Sequence, residues 1–177
     1  MPKTRSIPAW PLLMGVLALS SCKPAANGLT EGANAPRPLY TLCKTYEELA
    51  PLLENNSDTL YVVNFWATWC APCVAELPSF ESLYQNTRGK KIRIILVSLD
   101  FQSDIVTKLE PFLKERRLGP EVFMLADNRY DYWINKVSQD WSGAIPATLL
   151  LKNGKKQFIE DSFPNYADLE ALVQKYL

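Results

Sequence analysis

Val62-Val63-Asn64-Phe65-Trp66-Ala67-Thr68-Trp69-Cys70-Ala71-Pro72-Cys73 decides how this chain is read. Leu60–Trp66 is mostly apolar and has the composition of a buried strand. Beyond Cys73, apolar residues fall at Val74, Leu77, Phe80, Leu83 and Tyr84, which is helical spacing. The two thiols therefore stand where a strand gives way to a helix, with Cys70 at the helix start. The first turn of a helix has backbone N–H groups without intrahelical partners and carries partial positive charge. A thiolate there is stabilised, and the thiolate is the species that attacks disulfides. Cys70 and Cys73 lie one helical turn apart, so their sulfurs can close a small ring. Pro72 suits a first turn, where its missing N–H matters little. Cys70 is expected to be the exposed attacking sulfur and Cys73 the buried resolving one.

A length of 177 residues predicts about one domain, and an apolar content of 47% supports an ordinary core. The 19 basic and 19 acidic residues balance, which gives no support to nucleic-acid binding. Histidine is absent, which removes histidine metal sites and His-dependent triads. A cysteine pair can also be a structural disulfide or half of a zinc site. Zinc takes about four ligands, and Cys22 and Cys43 each stand alone. Redox chemistry with no metal and no bound cofactor is the better reading.

The first 22 residues read as an export signal rather than as fold. Lys3 and Arg5 make a basic start, and Leu12–Leu19 is an apolar run shorter than the roughly 20 residues a spanning helix needs. Leu19-Ser20-Ser21-Cys22 resembles a bacterial lipoprotein signal, whose cysteine is lipidated; an ordinary cleaved signal peptide is the alternative. Either reading places the protein where disulfides persist. Residues 23–36 are small, polar and rich in Gly and Pro, as in a flexible tether. Residues 37–177 are left for the folded domain.

Within that domain Leu39–Cys43 reads as a strand, and Thr45-Tyr46-Glu47-Glu48 as a capping box opening a helix. Ile92–Leu99 reads as a strand covered on both faces. A helix carries Ile105 to Leu113, broken or started by Pro111, and Val122–Leu125 is a further strand. Asp127–Gln139 has helical spacing; Asp127–Asp140 is unusually aromatic, a candidate partner surface as well as core. Ala144–Leu151 and Gln157–Glu160 form a hairpin across Asn153-Gly154, and a last helix carries Tyr166 to Tyr176. Strands alternating with helices predict an α/β fold, a mixed central sheet with helices on both faces.

Phe65–Cys73 resembles the active site of the thioredoxin superfamily, closest to the membrane-tethered bacterial thiol:disulfide oxidoreductases of the TlpA/ResA kind. Glu76 and Pro78 resemble that family's acid and helix-kinking proline, and Ile145-Pro146-Ala147-Thr148 its cis-proline segment. The resemblance covers roughly residues 37–177 and implies a thioredoxin fold. The opening strand and helix are more like plain thioredoxin, since tethered members often begin with a hairpin.

The resemblance implies roles. Cys70 and Cys73 are the catalytic pair. Trp69 forms the rim, and Ala71, Pro72, Ile145 and Pro146 meet the substrate, the Ile145 backbone pairing with the partner chain. Glu76 reads from spacing as a surface charge, but by resemblance it moves protons for Cys73. Asn64 occupies the place of thioredoxin's buried aspartate and cannot act as an acid or base. Cys43 reads as a small buried hydrophobe. The expected function is reduction of disulfides in envelope (periplasmic) proteins by a lipid-anchored protein that a membrane thiol reductant recharges. The rivals are a disulfide-forming oxidant, a peroxide reductase on the same fold, and a non-catalytic binding lipoprotein. A peroxide reductase needs a threonine and an arginine near the cysteine; Thr68 is present, but no matching arginine pattern is.

Overall fold

The structure is a computed structural model that describes residues 38–177. The signal, the Cys22 lipidation site and the tether expected in residues 1–36 lie outside the described residues. Among the described residues, no helix is long and apolar enough to cross a membrane.

Six strands form one sheet in the order β1-β4-β3-β2-β5-β6. They are β1 (Thr41–Cys43), β2 (Leu60–Trp66), β3 (Ile92–Ser98), β4 (Glu121–Leu125), β5 (Ala147–Lys152) and β6 (Lys155–Ile159). The first four strands run parallel, and β5 and β6 are antiparallel to their neighbours, so the sheet is mixed as expected. The helices are α1 (Tyr46–Leu53), α2 (Ala71–Asn86), α3 (Glu110–Arg116), α4 (Tyr130–Val137) and α5 (Tyr166–Gln174).

β2 is central, and successive side chains of a strand point to opposite faces. Leu60, Val62 and Trp66 pack on one face with Leu77 and Phe80 of α2, Leu113 of α3, and Leu169 and Val173 of α5. Val63 and Phe65 pack on the other with Leu49 and Leu53 of α1 and Trp133 of α4. Asn64 shares the α2 face of the strand, and its neighbours across the sheet are Leu96 on β3 and Thr148 on β5.

The β5–β6 turn has Asn153 at φ 51° and Gly154 at φ 70°, the pair of left-handed residues that a two-residue hairpin requires.

Three local expectations change. The Thr45 side chain does not cap α1. Glu48 Oε2 accepts instead from the Lys44 N–H at 2.9 Å, and buried Asp127 Oδ2 accepts from the Tyr46 N–H at 2.8 Å. Asp127, which also holds Arg129, is thereby taken out of the helix expected to start there, and α4 begins at Tyr130. The segment leading to α3 is not one regular helix but a 3-10 turn (Gln102–Asp104) and a π-helical turn (Ile105–Leu109). In a regular helix the Pro111 ring would clash with the carbonyl four residues back, and the wider turn lies just before it.

Candidate active site

β2 delivers Ala67-Thr68-Trp69 to the start of α2, where Cys70 is the N-cap. Its sulfur takes the role an N-cap oxygen usually has, accepting from the Cys73 N–H at 3.3 Å. Cys70 and Cys73 are joined as a disulfide, S–S 2.02 Å. Cys73 is fully buried, as expected, but Cys70 is only 6% exposed, so the expectation of an exposed sulfur is corrected. Its Sγ is bound to Cys73 and lies 3.7 Å from the Ile145 carbonyl oxygen, while Trp69 beside it takes the exposed position. Ala71 and Pro72 are exposed at the start of α2.

The loop before Cys70 is fixed by a carboxylate that sequence reading missed. Asp100, buried just beyond β3, accepts from the Thr68 N–H with both oxygens at 3.1 Å, and from the Thr68 hydroxyl. Ser98 Oγ also donates to it at 2.7 Å. An acidic residue directly after an apolar strand was the available signal, because sites in parallel sheets form at the carboxyl ends of strands.

Glu76 is not a surface charge. It is fully buried one turn beyond Cys73. Oε1 accepts from Asn64 Nδ2 at 2.7 Å, and Oε2 accepts from the Phe163 N–H at 2.6 Å. Burial pushes its carboxyl up to about 7, against the lowering effect of the two donated bonds. Asn64 Nδ2 also lies 3.3 Å from Thr148 Oγ1 and 3.5 Å from the Ala147 carbonyl. Asn64 Oδ1 is buried without a hydrogen-bond partner among the described residues. Phe163 could not be found from sequence, because its part is a backbone N–H in the loop before α5.

The Ile145–Pro146 peptide is cis, as the resemblance implied, and faces the disulfide through the Ile145 carbonyl. Trp141 steadies the approach to it. Its indole N–H donates to the Ala144 carbonyl at 2.7 Å, and its ring packs on Phe65, Trp133 and Phe158. Trp69 stacks on Phe101, centroids 6.1 Å apart, and both rings are about half exposed. Trp66 is core. Cys43 is a free, buried thiol, pushed up to about 11 by burial, in keeping with a packing role.

Residues 41–156 match the AhpC/TSA family. The thiol-disulfide oxidoreductase ResA of Geobacillus kaustophilus is 31% identical over 130 residues, 72% of this chain and 68% of that protein. ResA of Oceanobacillus iheyensis is 51% identical over 39 residues, 22% of this chain. Sporulation thiol-disulfide oxidoreductase A of Bacillus subtilis is 30% identical over 81 residues, 46% of this chain. The matched stretches span only 20% and 48% of those last two proteins. Among solved structures, a thioredoxin-related protein from Neisseria meningitidis serogroup B superposes with a TM-score of 0.56 at 24% identity, over 71% of this chain and 89% of its own. A thioredoxin-family thiol:disulfide interchange protein from Chlorobium tepidum gives 0.57 at 18% identity, over 72% and 83%. The sheet order, the cysteine pair at the start of α2 and these matches agree: the chain belongs to the AhpC/TSA family, has the thioredoxin fold, and is related to the ResA thiol-disulfide oxidoreductases.

Proposed function

We propose that this chain is an exported thiol:disulfide oxidoreductase that reduces disulfides of envelope proteins. One observation carries the reading: Cys70 and Cys73 form a disulfide at the start of α2, with the Cys70 sulfur accepting the Cys73 N–H and lying against Ile145. The dithiol form is the donor. The Cys70 thiolate attacks one sulfur of a partner's disulfide; a Cys70–partner disulfide forms and the other partner sulfur leaves as a thiolate. The Cys73 thiolate then attacks Cys70 Sγ and releases the second partner sulfur. Two electrons pass to the partner, and the Cys70–Cys73 disulfide remains. A membrane dithiol reductant returns the two electrons by the same exchange in reverse.

The other residues divide the work. The Cys73 N–H and the first turn of α2 stabilise a Cys70 thiolate. Glu76, with its carboxyl near 7, takes the Cys73 proton, since Asn64 cannot. Trp69, Ala71, Pro72, Ile145 and Pro146 receive the partner chain. Thr68 donates its hydroxyl to Asp100, which supports a loop-holding role over peroxide activation. A signal over 1–22, a lipid on Cys22 and a tether over 23–36 would hold the 37–177 domain at the periplasmic face of a membrane.

Insulin reduction and trapping test the assignment. Cys70→Ser should abolish reduction, and Cys73→Ser should accumulate a partner joined through Cys70. Reduction that survives Cys70→Ser contradicts the mechanism. Fatty-acid labelling that persists in Cys22→Ala contradicts the anchor.

A further inference from the structure

Positive charge gathers at the end of the domain that lies away from the disulfide. β2, β3 and β4 run parallel, and β2 ends at Trp66, on the side of Cys70. Leu60, Ile92 and Glu121, where these strands start, therefore mark the opposite end of the sheet. The seven residues of β2 set about 20 Å between the two ends. At the far end Arg88, Lys90 and Lys91 lead into β3, and Lys152, Lys155 and Lys156 flank the β5–β6 turn; all but half-buried Lys152 are exposed. The segments are fastened together. The Ser57 carbonyl accepts from the Asn153 N–H at 2.7 Å, the Lys91 carbonyl accepts from the Leu60 N–H at 2.9 Å, and Lys91 Nζ donates to Asp58 Oδ2 at 2.5 Å. Asp58 is paired with Lys91, and Glu121 with Arg93. Among the described residues no carboxylate pairs with Arg88, Lys90, Lys155 or Lys156. Acidic residues outnumber basic ones over residues 38–177, so the positive excess belongs to this end and not to the domain. Lysines on an edge strand also deter pairing with another sheet. That accounts for Lys155 and Lys156 on β6, but not for Arg88, Lys90 and Lys91, which lead into an interior strand. The chain also enters the domain here: β1 is parallel to β4, and Pro38 and Leu39 lie beside Pro120 and Glu121.

We infer that this end is a membrane-facing surface that binds anionic phospholipid headgroups and turns the disulfide away from the bilayer. The inference rests on the membrane anchor of the proposed function and not on the direction of electron flow. A chain held to a membrane upstream of Pro38 keeps this end of the domain the closer to the headgroups. Lysine suits such a surface. Its ammonium is a point charge on a flexible stem, which meets a phosphate without the fixed geometry an arginine fork demands. Each cation near an anionic bilayer adds attraction, and the attraction fades within about 10 Å at 0.1 M salt. Cations at the start of the strands therefore act on the membrane, while those beside the disulfide, about 20 Å farther out, do not.

The test uses the full-length, lipidated protein in vesicles of phosphatidylcholine alone or of phosphatidylcholine and phosphatidylglycerol in equal parts. An amine-reactive reagent labels the lysines, and mass spectrometry reads the rate at each. Phosphatidylglycerol should slow labelling of Lys90, Lys155 and Lys156 by about fivefold. Exposed Lys44 and Lys108, which follow the ends of β1 and β3 on the disulfide side, should change by less than about twofold. Lys90→Glu combined with Lys156→Glu, both at exposed positions, should remove the difference between the lipids at Lys155, as should high salt. Equal labelling in the two lipids would overturn the surface assignment while leaving the anchor intact. Equal slowing of Lys44 and Lys108 would overturn it as well, because no orientation would then exist. Slowing by dissolved polyglutamate but not by phosphatidylglycerol would assign this end to an acidic protein and overturn the membrane reading. Protein that floats with neither vesicle would overturn the anchor and this inference together, with glutathione exchange left to judge the oxidoreductase reading separately.

Discussion

Asn64 Nδ2 donates to Glu76 Oε1 across 2.7 Å, joining the central strand β2 to the active-site helix α2 one turn beyond Cys73. Both side chains are fully buried, and the bond couples a group that cannot titrate to one that can. Asn64→Asp would set two carboxyls at this distance. Like charges so close cannot both ionise readily, so the pair would hold one proton well above the usual carboxylate range. The variant should be about 2–3 kcal/mol less stable than the parent at pH 8 and recover much of that at pH 5. Urea unfolding at the two pH values checks this.

Glu76 also sets a pH dependence in the parent protein. Its carboxyl sits at about 7 in the folded state, above its ordinary value of 4.5. Between those values the folded chain holds more protons than the unfolded one. Stability is therefore highest below the unfolded value and falls as pH rises through the folded one. This carboxyl should account for a decline of about 1–3 kcal/mol between pH 4.5 and 7. Glu76→Gln should flatten it, with Asn64 Oδ1, unpartnered among the described residues, free to turn toward the new amide. Melting curves of both proteins across that range provide the comparison.

Asp100 accepts from the Thr68 N–H, the Thr68 hydroxyl and the Ser98 hydroxyl. Asp100→Asn replaces one acceptor oxygen with a donor that faces another donor. A loss of about 1–3 kcal/mol is expected. Hydrogen exchange at Thr68 should quicken by more than global destabilisation explains.

Trp141→Phe keeps an aromatic ring against Phe65, Trp133 and Phe158 and loses the bond to the Ala144 carbonyl. A loss of about 1 kcal/mol is expected, with faster exchange confined to residues 142–146. Exchange that rises uniformly across the domain would argue against a local tie.

Much of the fold was legible because its signals are local. Leu60–Trp66 forms the strand its composition predicts, and Asn153-Gly154 turns the hairpin as expected. The cysteine spacing placed both thiols at the start of α2. What sequence could not show depends on pairs far apart in the chain. Glu76 looked like a surface charge because nothing near it announces Asn64, 12 residues back, or the Phe163 N–H, 87 residues on. The Thr45 cap failed because Asp127, from the segment after β4, supplies an acceptor at the start of α1. The exposure of Cys70 was misjudged for a similar reason, since its cover is Ile145, 75 residues away. The aromatic run after Asp127 serves two purposes that spacing alone could not separate. Trp133 is buried in the core, while Tyr130 is exposed.

In the proposed reaction the Cys70–Cys73 dithiol gives electrons to partner disulfides. The reduction potential of this pair, measured by equilibration with glutathione or dithiothreitol, tests it most directly. A reductase recharged by a membrane dithiol should give a value near that of thioredoxin, about −270 mV. A value near −120 mV would belong to an oxidant that installs disulfides and would contradict the direction proposed here.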